Sequence, residues 1–62
     1  MNKYELESLK YFKFLRLKNG EIKKFDSKFK AMVYAKSLNA ELLTSDDLTE
    51  KEKEFAISAP LY

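Results

Sequence analysis

Cysteine, histidine and tryptophan are missing from this 62-residue chain, and glycine and proline occur once each. Each absence removes a class of chemistry. Without cysteine there are no disulfides and no thiolate metal sites. Without histidine, the commonest metal ligand and the commonest acid–base group are gone. A nucleophile and its base would have to come from Ser, Thr, Lys, Tyr, Asp or Glu, and no local arrangement pairs them. A single glycine rules out a glycine-rich phosphate loop. Asp46, Asp47 and Glu50 lack the alternating ligand positions and turn glycine of a calcium loop, and turn formation and helix capping account for them better. No residue is therefore assigned a catalytic, metal-binding or cofactor-binding role; an enzyme with a small-molecule substrate is not expected.

Long apolar runs are also missing. No stretch approaches the roughly 20 residues of a membrane span, and Met1–Glu7 lacks the apolar core of a signal peptide, so no membrane partner is expected and the cytoplasm is the default location. No repeat, low-complexity run or linker divides residues 1–62, which are expected to form one domain. That length lies near the lower limit for a self-sufficient core. Hydrophobic residues at 45% and aromatics at 15% are nevertheless ample for folding, and oligomerisation is the available reinforcement.

The net charge of +2 is unevenly spread. Residues 1–36 hold ten Lys or Arg against four Asp or Glu, and residues 37–62 hold two against six. A basic front and an acidic back suit either nucleic acid or an acidic partner; lysines that only keep an aromatic-rich hairpin in solution give the same pattern.

The clearest local signal is Asn19-Gly20, flanked by the apolar runs 11–17 and 22–25. Both residues tolerate the positive φ of a type I′ turn, which predicts a β-hairpin with a two-residue loop. That register sets Lys18 against Glu21, Leu17 against Ile22, Phe14 against Phe25 and Lys13 against Asp26. A three-residue loop would set Leu17 against Glu21 and Phe14 against Lys24, so pair chemistry favours the shorter loop. One face then carries Tyr11, Leu15, Leu17 and Ile22 with Lys13 and Lys24; the other carries Phe12, Phe14 and Phe25 with Arg16 and Lys23. A hairpin apolar on both faces must be covered on both, and one helix covers only one.

Residues 1–10 fit an extension of the first strand or a short helix. Asp26 or Ser27 caps the next helix, whose stripe runs through Ala31, Tyr34, Ala35, Leu38 and, if the helix extends so far, Leu42. On this stripe Leu38→Asp is expected to unfold the protein. Asn39 is a left-handed stop, after which Glu41–Thr44 has room for a short third strand. Thr49 and Glu52 form a capping box opening a second helix over about 50–58, stopped by Pro60. The expected fold is α+β: an antiparallel hairpin, three-stranded if 41–44 adds a strand, packed against one central helix, with a short C-terminal helix. The Phe25-Asp26-Ser27 junction and Ala31-x-x-x-Ala35 helix form a generic pattern, similar to that of arm-binding integrase modules and many unrelated small domains, and assign the chain to no family.

Two functional expectations follow. The first is a non-enzymatic interaction module, an adaptor or inhibitor of a size suited to a phage or mobile-element accessory protein. It would bind a protein partner, or itself as a homodimer, through a strand edge or through the face carrying Phe12, Phe14, Arg16, Lys23 and Phe25. The second is a nucleic-acid binder that stacks bases on those aromatics and holds phosphates with Lys13, Lys24, Lys28, Lys30 and Lys36. On structural grounds the three phenylalanines belong in the core, since leaving them in water is costly for a marginal fold. A single arginine also weakens the nucleic-acid reading.

Overall fold

The computed structural model describes residues 2–62. Helix α1 (Lys3–Ser8) leads through a 3-10 turn (Leu9–Tyr11) into strand β1 (Lys13–Arg16) and then β2 (Ile22–Phe25). Helix α2 (Lys28–Leu38), strand β3 (Glu41–Leu43), a second 3-10 turn (Ser45–Asp47) and helix α3 (Glu50–Ser58) complete the chain. The sheet order is β2-β1-β3 with both pairings antiparallel, so β2 and β3 run the same way and α2 connects them across the sheet.

Strand β1, at the centre, is apolar on both sides: Phe14 and Leu15 point to opposite faces and both are fully buried. The fold is therefore three layers. Against one face, α1 with its following turn and α3 bury Phe14, Ile22 and Leu43 with Leu9, Leu48 and Ala56. Against the other, α2 buries Leu15 and Phe25 with Ala31, and Leu17, Ala35 and Ala40 pack around them. The small Ala31 lets the helix axis come close to the strands.

The local stops and starts behave as their chemistry requires. Asn2 and Glu5 form a capping box that opens α1, settling residues 3–8 as helix rather than strand. Ser27, not Asp26, caps α2 by accepting from the Lys30 N–H. Asn39 ends α2 in the left-handed region at φ 53°, and Thr49 with Glu52 forms the box that opens α3.

The hairpin register differs from the sequence expectation. Lys13 lies opposite Phe25, Phe14 opposite Lys24, Leu15 opposite Lys23 and Arg16 opposite Ile22, one residue away from the two-residue-loop pairing. The loop has three residues, Lys18 to Gly20. Leu17 accepts from the Gly20 N–H at 2.9 Å and donates to the Glu21 carbonyl at 2.9 Å. Among the described residues only Gly20 (φ 89°) and Asn39 have positive φ, so Asn19 does not take the conformation a type I′ turn demands. Asn19 instead accepts from the Glu21 N–H through its side chain at 2.9 Å. Because side chains alternate, one residue of slip carries all of β2 to the opposite faces. The physical gain is an even division of bulk: Phe14 goes to the α3 side and Phe25 to the α2 side, so each covering layer receives one large ring.

A second difference lies in α2. Its contact with the sheet is centred on Ala31 and Ala35, and Leu38 sits at the margin with 42% of its surface exposed. Leu38→Asp is thus no longer expected to unfold the protein.

Candidate docking surfaces

The face expected to carry Phe12, Phe14, Arg16, Lys23 and Phe25 does not exist as one surface. The register places Phe14 and Arg16 on the α3 side, where Phe12 packs partly buried against the same cluster; Lys23 and Phe25 lie on the α2 side. Phe14 and Phe25 are core residues, with no surface left for a base or a partner.

The cations of that expected site are engaged within the chain. Arg16 donates from Nε to Glu52 Oε2 at 2.9 Å and from Nη2 to Glu52 Oε1 at 2.7 Å. Nη2 also reaches the Asp47 carbonyl at 3.3 Å, and Nη1 lies 3.7 Å from Glu41. This two-toothed pair ties α3 to the central strand. Glu52 at the same time accepts from the Thr49 N–H at 2.9 Å, so one carboxylate caps the helix and anchors it. The Arg16 hydrogen bonds first, then the Thr49 N–H, hold the Glu52 carboxyl down at about 2 against an ordinary 4.5. Asp47, accepting from the Thr44 N–H and hydroxyl, is lowered in the same direction.

These lowered values set an acid dependence. The folded chain binds fewer protons at Glu52 than the unfolded chain, so this contribution to stability is present above about pH 4.5 and is lost as pH falls toward 2. Urea midpoints measured from pH 6 to pH 2 are expected to fall in this window. Glu52→Gln should have a lower midpoint at pH 6 and a flatter profile; parallel profiles for the two proteins would refute the assignment.

Lys23 donates to Glu21 at 3.3 Å and to the Tyr62 hydroxyl, and its ammonium lies 4.2 Å from the Tyr62 ring centre. The Tyr62 hydroxyl, ahead of Glu21, raises its pKa above the usual 10.5. Tyr62 also stands 5.5 Å from the Phe25 ring and 6.2 Å from that of Tyr34. The segment 60–62 thus closes the outer side of β2: Leu61 bridges Lys24 in parallel, and the Tyr62 N–H donates to the Lys24 carbonyl at 2.9 Å.

Lys24, expected at a phosphate, is buried. Its stem lies in the core, its ammonium donates to the Ala56 carbonyl near the end of α3 at 2.9 Å, and it sits 5.0 Å from the Phe12 ring centre. A lysine amid β2 with a helix C-terminus within reach was the available signal, but only the correct register brings the two together.

Of the expected phosphate ligands, Lys28, Lys30 and Lys36 remain exposed, all on α2, and Lys13 is half-buried on β1. Around the α2 lysines lies a surface that the helical stripe did not include. Phe29 is 76% exposed, and Met32 and Val33 are about half exposed. Spaced at i, i+3 and i+4, these three form a ridge on the outer side of the helix. Residues 27–40 contain no Asp or Glu, so the ridge is apolar with lysines and no carboxylate.

Two further features are open. Strand β3 has an outer edge with no strand beside it among the described residues, and Leu42 is partly exposed there. A groove of about 560 Å³ opens between the β1–β2 turn and α3, lined by Gly20, Glu21, Ile22, Thr49, Lys51 and Phe55 with the Arg16–Glu52 pair. Phe55 on its wall is 54% exposed. Among the described residues no helix is long and apolar enough to cross a membrane, and no group of three potential metal ligands converges. No protein-family model, curated protein or solved structure matches the chain.

Proposed function

We propose that this protein is a non-enzymatic interaction module, an adaptor or inhibitor, that docks on a protein partner through the outer face of α2, with the β3 edge beside it. The observation that carries this reading is the ridge of Phe29, Met32 and Val33, left in water by a fold that buries its other phenylalanines at β1 and β2 completely. Large apolar side chains grouped on one helix face are the anchors by which a helix seats in a partner's groove. The surrounding Lys28, Lys30 and Lys36 favour a partner with carboxylates around that groove.

Phe29→Ala tests it cleanly, because an exposed residue exchanged for the best helix former costs little stability. The expected result is a melting temperature within a few degrees of the parent and loss of those proteins that the parent chain retains from an extract of its source cells. An identical set of retained proteins would overturn the reading.

The acid-free lysine set on α2 keeps nucleic acid as the second reading. Three phosphate contacts would weaken binding roughly 20- to 40-fold between about 50 and 200 mM salt. Fluorescence anisotropy with single- and double-stranded oligonucleotides decides it. No binding at 50 mM salt is expected, since the one arginine is held by Glu52. Binding with that salt dependence would put nucleic acid first.

A further inference from the structure

We propose that the outer edge of β2, where it meets α2, is a second binding site, for an extended peptide that presents an apolar residue followed by tyrosine, and that Leu61-Tyr62 is its internal occupant. The site consists of the Lys24 carbonyl, the Lys23 ammonium and the rings of Phe25 and Tyr34. None of these belongs to the ridge of Phe29, Met32 and Val33.

Each group meets a different part of the occupant. The Tyr62 N–H donates to the Lys24 carbonyl at 2.9 Å and Leu61 bridges Lys24 in parallel, so the backbone is held as an added strand. The Tyr62 ring packs 5.5 Å from Phe25 with the planes inclined by 51°, and meets Tyr34 edge-on at 6.2 Å. Lys23 donates to the Tyr62 hydroxyl while its ammonium lies 4.2 Å from the ring centre. A backbone acceptor, two ring walls and a cation together select tyrosine. An aliphatic side chain in its place loses the ring and cation contacts, and phenylalanine leaves Lys23 without the hydroxyl.

The occupant is lightly held. Tyr62 makes the one backbone hydrogen bond from this segment to β2, Pro60 has no N–H to add another, and Leu61 and Tyr62 each keep about half of their surface in water. The groups beneath are fixed without it. Lys24 and Phe25 pair with Phe14 and Lys13 of β1, the Lys24 ammonium is tied to the Ala56 carbonyl, and Tyr34 is carried by α2. Residues 61–62 can therefore lift by a local opening that leaves the sheet and the site formed.

Tyr62→Ala vacates the site, and N-acetyl-leucyl-tyrosine amide serves as the probe. Titrated into the variant and followed by ¹⁵N–¹H NMR, it is expected to shift the Lys24, Phe25 and Tyr34 amides to saturation with a dissociation constant of ~1–10 mM. The parent should bind at least about tenfold more weakly, because only molecules whose own segment has lifted, about one in ten or fewer, are competent. N-acetyl-leucyl-leucine amide should bind the variant at least about tenfold more weakly than the tyrosine probe.

No saturable shift in the variant, equal binding by parent and variant, or equal binding of the two probes would overturn the proposal. So would a Tyr62→Ala chain that melts more than ~10 °C below the parent, which would make residues 61–62 part of the core rather than a replaceable occupant.

Discussion

Phe14→Ala is expected to abolish or nearly abolish the folded state at 25 °C. Phe14 lies at the middle of the central strand with no exposed surface, packed with Leu9, Ile22, Leu43, Leu48 and Ala56 from elements spread along the chain. Truncating such a ring removes its transfer free energy and leaves a void that two covering helices and a sheet cannot fill without moving together, a loss of about 3–5 kcal/mol. A chain this short has only about 5 kcal/mol or little more to lose. Thermal melts followed by circular dichroism should show the transition displaced by more than ~12 °C or absent. A shift below about 5 °C would mean that Phe14 is not part of a packed core.

Ala31→Asp is the second large effect. Ala31 is fully buried where α2 meets Leu15 and Phe25; of the cations on that side of the sheet, Lys23 is occupied by Tyr62 and Glu21, and Lys13 stands beside Phe25 on β1. A carboxylate there is both desolvated and too large, a combination worth more than about 3 kcal/mol. Leu38→Asp, one helical turn beyond Ala35 and 42% exposed, should cost about 1 kcal/mol. Denaturant midpoints for the two variants give the comparison. Equal losses would show that α2 meets the sheet along the stripe through Leu38 rather than through its alanines.

The two predictions differ in how legible their sites are from sequence. The importance of Phe14 follows from composition: a strand apolar on both faces requires cover on both, and three layers result. Ala31 as the centre of the helix contact does not follow from the helical stripe, because a stripe that includes Tyr34 and Leu38 equally well fits a helix rotated away from its observed position. Only the docking of α2 against Leu15 and Phe25 selects the small residues for the closest approach and leaves the large ones at the margin or outside.

The candidate surface was less legible than the fold. Phe29 and Val33 are not part of the stripe of Ala31, Tyr34, Ala35 and Leu38, and beside such a stripe wrapping around the sheet and facing solvent look alike in sequence. The expected face of Phe12, Phe14, Arg16, Lys23 and Phe25 rested on one register, and a slip of one residue divides it between two sides of the sheet. The same slip turns Lys24 from an outward cation into a buried donor to Ala56.

By itself the sequence determined the local decisions: the hairpin at Asn19-Gly20, the left-handed stop at Asn39, the capping box of Thr49 and Glu52, the α+β class and the need for two covers. These depend on residues a few positions apart, and their energies are felt before the chain is compact. The tertiary structure alone decided the loop length, the faces of β2 and which side of α2 meets water. Cross-strand pairs are worth a few tenths to about 1 kcal/mol, less than the burial of one phenylalanine ring, so where the two preferences differ the packing of Phe14 and Phe25 on opposite faces sets the register.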